Sequence, residues 1–155
     1  MKKFILTALS GLALCVSIQA MAEELTIYAE PITITVSDHG SKGYSLGDTV
    51  ARNGPVYFQV NGPAVGEYFT LAQITHIYKD RKSDARFYVM EINLPEGEIM
   101  TMNFSQIKSG GPTAVEGEKH RGVIVGGTGK YSGIKGTYEM EIGANQKTKI
   151  VFKII

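Results

Sequence analysis

Gly126-Gly127-Thr128-Gly129-Lys130-Tyr131-Ser132-Gly133-Ile134-Lys135-Gly136 sets five glycines in eleven positions, and the reading of this stretch decides the fold. A phosphate-cradling loop needs Gly four residues before the Gly-Lys pair and Ser or Thr after it, but Ile124 and Tyr131 stand there. A dinucleotide-binding turn needs Gly where Ser132 stands and a helix directly after it. Thr137-Tyr138-Glu139-Met140-Glu141-Ile142 instead alternates polar and apolar residues, as a half-buried strand does. The glycines therefore read as a strand-to-strand corner with positive φ and close backbone approach, across which Tyr131 packs.

Working outward, the same alternation recurs. Residues 147–154 pair with 137–142 through Gly143-Ala144-Asn145-Gln146 as a C-terminal hairpin. Strand-like runs occupy about 24–36, 48–61, 66–78, 84–94, 97–108 and 118–126, which makes eight. Turn signals separate them at Asp38-His39-Gly40, Asn61-Gly62-Pro63, the charged run 79–84, Leu94-Pro95-Glu96-Gly97 and Ser109-Gly110-Gly111-Pro112. No stretch shows a sustained helical pattern. Eight short strands at near-regular spacing call for an all-β barrel or sandwich, and the absence of Trp and of paired Cys favours the antiparallel barrel. In the run 66–78, Phe69, Leu71 and Ile77 lie on one side and Tyr68, Ala72, Ile74 and Tyr78 on the other. A wall apolar on both faces with no helix to cover it points to contact between subunits, hence a homo-oligomer.

The chain begins with Lys2-Lys3, a 15-residue apolar run from Phe4 to Ile18, and Ala20-Met21-Ala22, the pattern of a cleaved secretory signal. The run is too short for a membrane span. The expectation is a signal peptide over 1–22, cleavage after Ala22, one barrel domain over 23–155, and a periplasmic or secreted protein without a membrane anchor. Removing 22 of 155 residues leaves 133, with 14 basic against 15 acidic side chains and no Cys, since Cys15 leaves with the leader. That balance gives no footprint for nucleic acid, and a Cys-free chain cannot form disulfides or a Cys-based metal site.

With Gly122-Val123-Ile124-Val125 ahead of it, the Gly126–Gly136 stretch resembles the motif shared by allene oxide cyclases and dirigent proteins. Tyr44-Ser45-Leu46-Gly47-Asp48-Thr49-Val50, with Tyr57 beyond it, is similar to the cyclases, as is the order of His76, a charged loop, an aromatic strand from Phe87 and a hairpin at Gly97. The similarity covers about residues 24–155. It implies an eight-stranded calycin-type barrel, commonly trimeric, with an apolar lumen open at one end and no cofactor. It also implies a small hydrophobic or aromatic ligand whose cyclisation or isomerisation is steered by holding its conformation.

Carried over residue by residue, the resemblance departs from the cyclase pattern. The first-strand Glu has its nearest counterpart in Glu30, since Ala29 follows Tyr28, and the second-strand Asn falls at Gly54 with Asn53 one place off. Leu71 stands where some cyclases carry a lumen Cys, Phe87 matches a lumen Phe, and Phe104 and Ser105 occupy the place of a fifth-strand Tyr. The expected ligand-binding residues are Leu71, Phe87, Met102 and Phe104, and Glu30, Asn53 and Glu91 are the polar candidates for catalysis. Glu91 reads either as a buried acid or as an outward carboxylate. Met90, Met100, Met102 and Met140 suit an adaptable apolar lining or plain core. His39, His76 and His120 lack metal-ligand spacing, so no metal is expected. Three classes stay open: a ligand-binding barrel with or without catalysis, a lipocalin-like carrier, and a structural or effector barrel that acts by assembly.

Overall fold

The structure, a computed structural model, describes residues 23–79, 83–108, 111 and 113–155. The leader 1–22 and parts of the turns at 79–84 and 109–112 lie outside the described residues. The strands are β1 (Glu23–Ala29), β2 (Thr33–Ser37), β3 (Thr49–Tyr57), β4 (Gly66–Ile77), β5 (Asp84–Leu94), β6 (Gly97–Ile107), β7 (Lys119–Gly127), β8 (Gly136–Ile142) and β9 (Thr148–Ile154). They form one antiparallel sheet in the order β1-β9-β8-β7-β6-β5-β4-β3-β2, closed by pairing of β1 with β3. Closure leaves no long open edge.

The run expected as one strand over 24–36 is two segments, because Pro31 has no N–H to give to a ladder. Both segments pair with β3, and the chain between them keeps Glu30 N–H on Pro55 O at 3.2 Å and Ile32 N–H on Asn53 O at 3.0 Å. Together β1 and β2 fill one barrel position, so the wall is an eight-stranded barrel. Gly54 permits this crossing, since a Cβ there would lie 2.0 Å from Glu30 O.

Register assigns the faces. In β5 the even residues from Asp84 to Leu94 are buried and the odd ones are not, and partners across the ladder share a face. The lumen therefore receives Tyr68, Ala72 and Ile74 from β4, the even-numbered residues from Asp84 to Leu94 of β5, and the odd-numbered ones from Ile99 to Ile107 of β6. At the end bearing the Gly-rich corner, Val56, Ile92, Leu94, Ile99, Ile124, Phe152 and Ile154 pack into one cluster with Tyr131. The corner itself is a 3-10 turn over Gly129–Tyr131, held by Thr128 N–H on Glu98 O at 3.0 Å and Lys130 N–H on Glu96 O at 2.8 Å. It comes after a bulge in β7, where Met100 pairs with Gly126 but Thr101 with Ile124. Tyr131, only 6% exposed, thus plugs one barrel mouth.

Candidate functional site

The lumen is packed with apolar side chains at the corner end and mixes buried polar groups with a second apolar cluster of Val50, Ala72, Tyr88 and Ile107 at the other. In the polar half, Arg86 and Asp84 are fully buried and form a two-pronged ion pair, Nε to Oδ1 at 2.6 Å and Nη2 to Oδ2 at 2.8 Å. The Tyr44 hydroxyl donates to the same carboxylate, and Arg86 donates to the carbonyl of Gly111. Tyr44 arrives on the segment between β2 and β3, which Asp48 ties down by accepting the N–H of His39 at 2.8 Å and of Ser45 at 2.7 Å. This is why Tyr44-Ser45-Leu46-Gly47-Asp48 matters locally: its Asp anchors the loop that carries the Tyr.

Deeper in, the Tyr138 hydroxyl donates to Asn103 Oδ1 at 2.9 Å, and Asn103 donates to Ser105. The ring of Tyr88 lies 6.1 Å from that of His120. A small cavity of about 30 Å³ sits among Arg52, Tyr68, Tyr88, Met90, Tyr138 and Met140, space for about one water. Burial pushes the Tyr68 and Tyr138 phenols up to about 12, which keeps them neutral hydrogen-bond donors. Desolvation also lowers the Arg52 guanidinium, against which the phenols of Tyr88 and Tyr68 act favourably.

His120 is 3% exposed, and its Nε2 finds no hydrogen-bond partner among the described residues. Burial lowers its pKa, Arg52 and Arg86 add to that shift, and Glu118 opposes it. A depressed folded pKa means that the unfolded chain binds the proton more readily than the folded one. Stability contributed by His120 is full above about pH 6.5 and is lost as pH falls toward the lower folded pKa. Urea midpoints at about pH 7.5 and 5.5 test this, with a steeper fall expected in the wild type than in His120→Gln. Equal falls in the two proteins would remove His120 as the origin.

The residues expected around a ligand lie elsewhere. Leu71, Phe87, Met102 and Phe104 occupy the opposite phase of their strands' registers and stand on the outer wall, not in the lumen. Phe104 is 72% exposed and meets Phe87 at 5.0 Å between ring centroids. Leu71, Val89, Met102 and Val123 form one apolar cross-strand row, and Phe69 and Met100 flank Glu91 in the next, so the outer wall over β4–β7 is largely apolar. Asn53 and Glu91 border a groove of about 370 Å³ in that face, and Glu91 accepts from Asn93 Nδ2 at 3.2 Å. Glu30 is at the surface, ion-paired with Lys147 at 3.2 Å. The break at Pro31 does not turn it inward. His39 and His76 sit outside the lumen, in the loop after β2 and at the end of β4, where His76 meets the Tyr78 ring edge-on at 4.8 Å.

Sequence reading missed Arg52, Asp84, Arg86 and the network around His120. Period two along β5 carried the signal, since Arg86 shares its phase with Tyr88, Met90 and Ile92. Phe87 and Val89 on the opposite phase are equally apolar, so alternation alone assigned neither face.

No protein-family model matches this chain, and no curated protein does. Among solved structures, a pyocyanin demethylase superposes with a TM-score of 0.69 at 21% identity, over 86% of this chain and 100% of that one. A Diels–Alderase from Streptomyces koyangensis superposes with a TM-score of 0.61 at 13% identity, over 88% of this chain and 71% of that one. A pterocarpan synthase dirigent protein does so with a TM-score of 0.57 at 12% identity, over 96% of each chain. The fold is the dirigent and allene oxide cyclase type of barrel. Dirigent-type barrels at these identities share backbone architecture with this chain, so its lumen chemistry rests on its own side chains.

Proposed function

We propose that this dirigent-type barrel binds a small aromatic molecule in the polar half of its lumen and holds its conformation, in the manner of a cyclase or isomerase that works by positioning. The observation that carries this is the contrast between the two halves of one barrel. The corner end is filled with aliphatic and aromatic side chains. The other end buries an ion pair, Tyr88 and an imidazole whose Nε2 has no partner among the described residues, and between the two ends lie the half-buried Arg52 and the buried Tyr68 and Tyr138. Burying such groups costs stability that an apolar filling would not, and four of them, Arg52, Tyr68, Tyr88 and Tyr138, line one cavity. The cavity holds about one water as it stands. Entry of a ring requires Arg52 and Met140 to swing aside, with Tyr68, Tyr88 and Tyr138 framing it and Arg52 meeting its oxygen.

The outer apolar face supports a second element of the reading, self-association of copies through Phe69, Leu71, Met102 and Phe104, with a trimer favoured. Export after cleavage at Ala22, to the periplasm or beyond, belongs to the same reading. Native mass spectrometry of protein purified without detergent tests binding and assembly together, with 1-naphthol and 2-naphthoate as added probes. A bound aromatic mass, weakened about tenfold or more by Arg52→Met, is the expected result, as is dissociation of the oligomer by Leu71→Lys with Phe104→Glu. A monomer that takes up neither probe would overturn the proposal, and a probe-free stable oligomer would leave assembly alone as the function.

A further inference from the structure

A larger space lies outside the lumen. A groove of about 490 Å³ crosses the outer wall where β1 meets β3 and β9, bordered by Tyr28, Tyr57, Glu30, Lys147, Lys149 and Asn61. Its volume is that of a small-ligand site, roughly 300–1,000 Å³. Tyr28 and Tyr57 face each other across the β1–β3 pairing that closes the barrel. Their neighbours Ala29 and Val56 are buried inward, so both phenol rings lie on the outer side, and each is half-buried. The floor is thus two adjacent aromatic rings on rigid strands.

The rim is charged but balanced. Glu30 and Lys147 are ion-paired at 3.2 Å. In register beside Tyr28 come Lys149 and then Glu141, the latter paired with Lys119 at 3.2 Å. Two carboxylates and two ammonium groups border the groove, together with the Asn61 amide and the Thr148 hydroxyl. An anionic ligand calls for surplus cations and a cationic one for surplus carboxylates. Donors and acceptors of both kinds around an aromatic floor instead match a neutral ring with an apolar C–H face and hydroxyls at its edge. The loop carrying Asn61 is set by that residue's own left-handed backbone, φ 61°, and by Gly62 N–H on Gln59 O at 3.1 Å, so the amide is presented from an ordered turn.

We propose that this groove is a saccharide-binding site, in which the C–H face of a neutral sugar ring packs on Tyr28 and Tyr57 and its hydroxyls bond Glu30, Lys147 and Asn61. The site is distinct from the lumen and does not depend on any ligand there. Isothermal titration and proton-nitrogen NMR with cellobiose, maltose and N,N'-diacetylchitobiose test it on the folded protein. Saturable binding of at least one disaccharide is expected, with the largest NMR shifts at residues 28–30, 57–62 and 147–149. Tyr57→Leu keeps apolar bulk but removes the flat face, and it should weaken binding about tenfold; Lys147→Met and Glu30→Gln should each weaken it severalfold. Arg52→Met, at a residue outside this groove, should leave saccharide affinity unchanged. No binding of any of the three probes at about 10 mM would overturn the proposal. Binding that survives Tyr57→Leu in a variant with wild-type circular dichroism would do the same, as would NMR shifts confined to residues outside the groove.

Discussion

Asp84→Asn is expected to destabilise the barrel by about 3–5 kcal/mol, because it leaves the guanidinium of Arg86 buried without its counter-charge. Both side chains are fully buried, so no solvent enters to replace the lost carboxylate. The same carboxylate accepts the Tyr44 hydroxyl, so the substitution also loosens the segment between β2 and β3 that carries Tyr44. Total stabilities of about 5–15 kcal/mol make a loss of this size close to global unfolding. Urea unfolding measures it directly, through the midpoint at constant slope. The double variant Asp84→Asn with Arg86→Met should recover about 1 kcal/mol or more, since removing both charges also removes their desolvation cost. A single variant within about 1 kcal/mol of wild type would show that Arg86 is not held in a desolvated site.

The second large effect is at the corner. Gly136 opens β8 with φ +148°, a conformation that side chains rarely adopt, and a Cβ there would lie 2.0 Å from the carbonyl oxygen of Lys153. The clash is with backbone of the paired strand β9, so no rotamer relieves it. Gly136→Ala should cost about 3 kcal/mol or more and displace β8 from β9 at its first rung. Gly126, in the same motif, provides the control. A Cβ there meets nothing within 4 Å, and its φ is not positive, so Gly126→Ala should stay within about 0.5 kcal/mol of wild type. Thermal melts of the pair decide the matter. Similar melting points for both variants would mean that the glycines answer to something other than backbone geometry.

The corner was legible in the sequence because its requirement is local: five glycines between two alternating runs can only serve a tight change of direction, whatever surrounds them. The first strand was half legible. Its alternation is visible, but Pro31 breaks the ladder, and whether the chain then rejoins β3 or leaves the sheet depends on Gly54, more than twenty residues away. The lumen was the least legible part. Leu71, Phe87, Met102 and Phe104 are as apolar as any core residue, and a strand apolar on both faces has two equally good phases. Selecting the wrong phase by one residue exchanges inside for outside, which placed the ligand-binding candidates on the wall, left Arg52 and Arg86 unremarked and had His120 weighed only as a metal ligand.

By itself, then, the sequence determined the all-β class, the number of barrel strands, the hairpins and the glycine corner, because period two and turn chemistry act between near neighbours. Only the tertiary structure decided which phase of each strand faces the lumen. That choice is made by closure: the two-rung pairing of β1 with β3 fixes the register around the ring, and from it the burial of Arg86 with Asp84 and the exposure of Phe104 arise together. Contacts that join residues far apart in the chain carry no periodic trace, so the charged pocket and the tyrosine groove appear only once the barrel is shut.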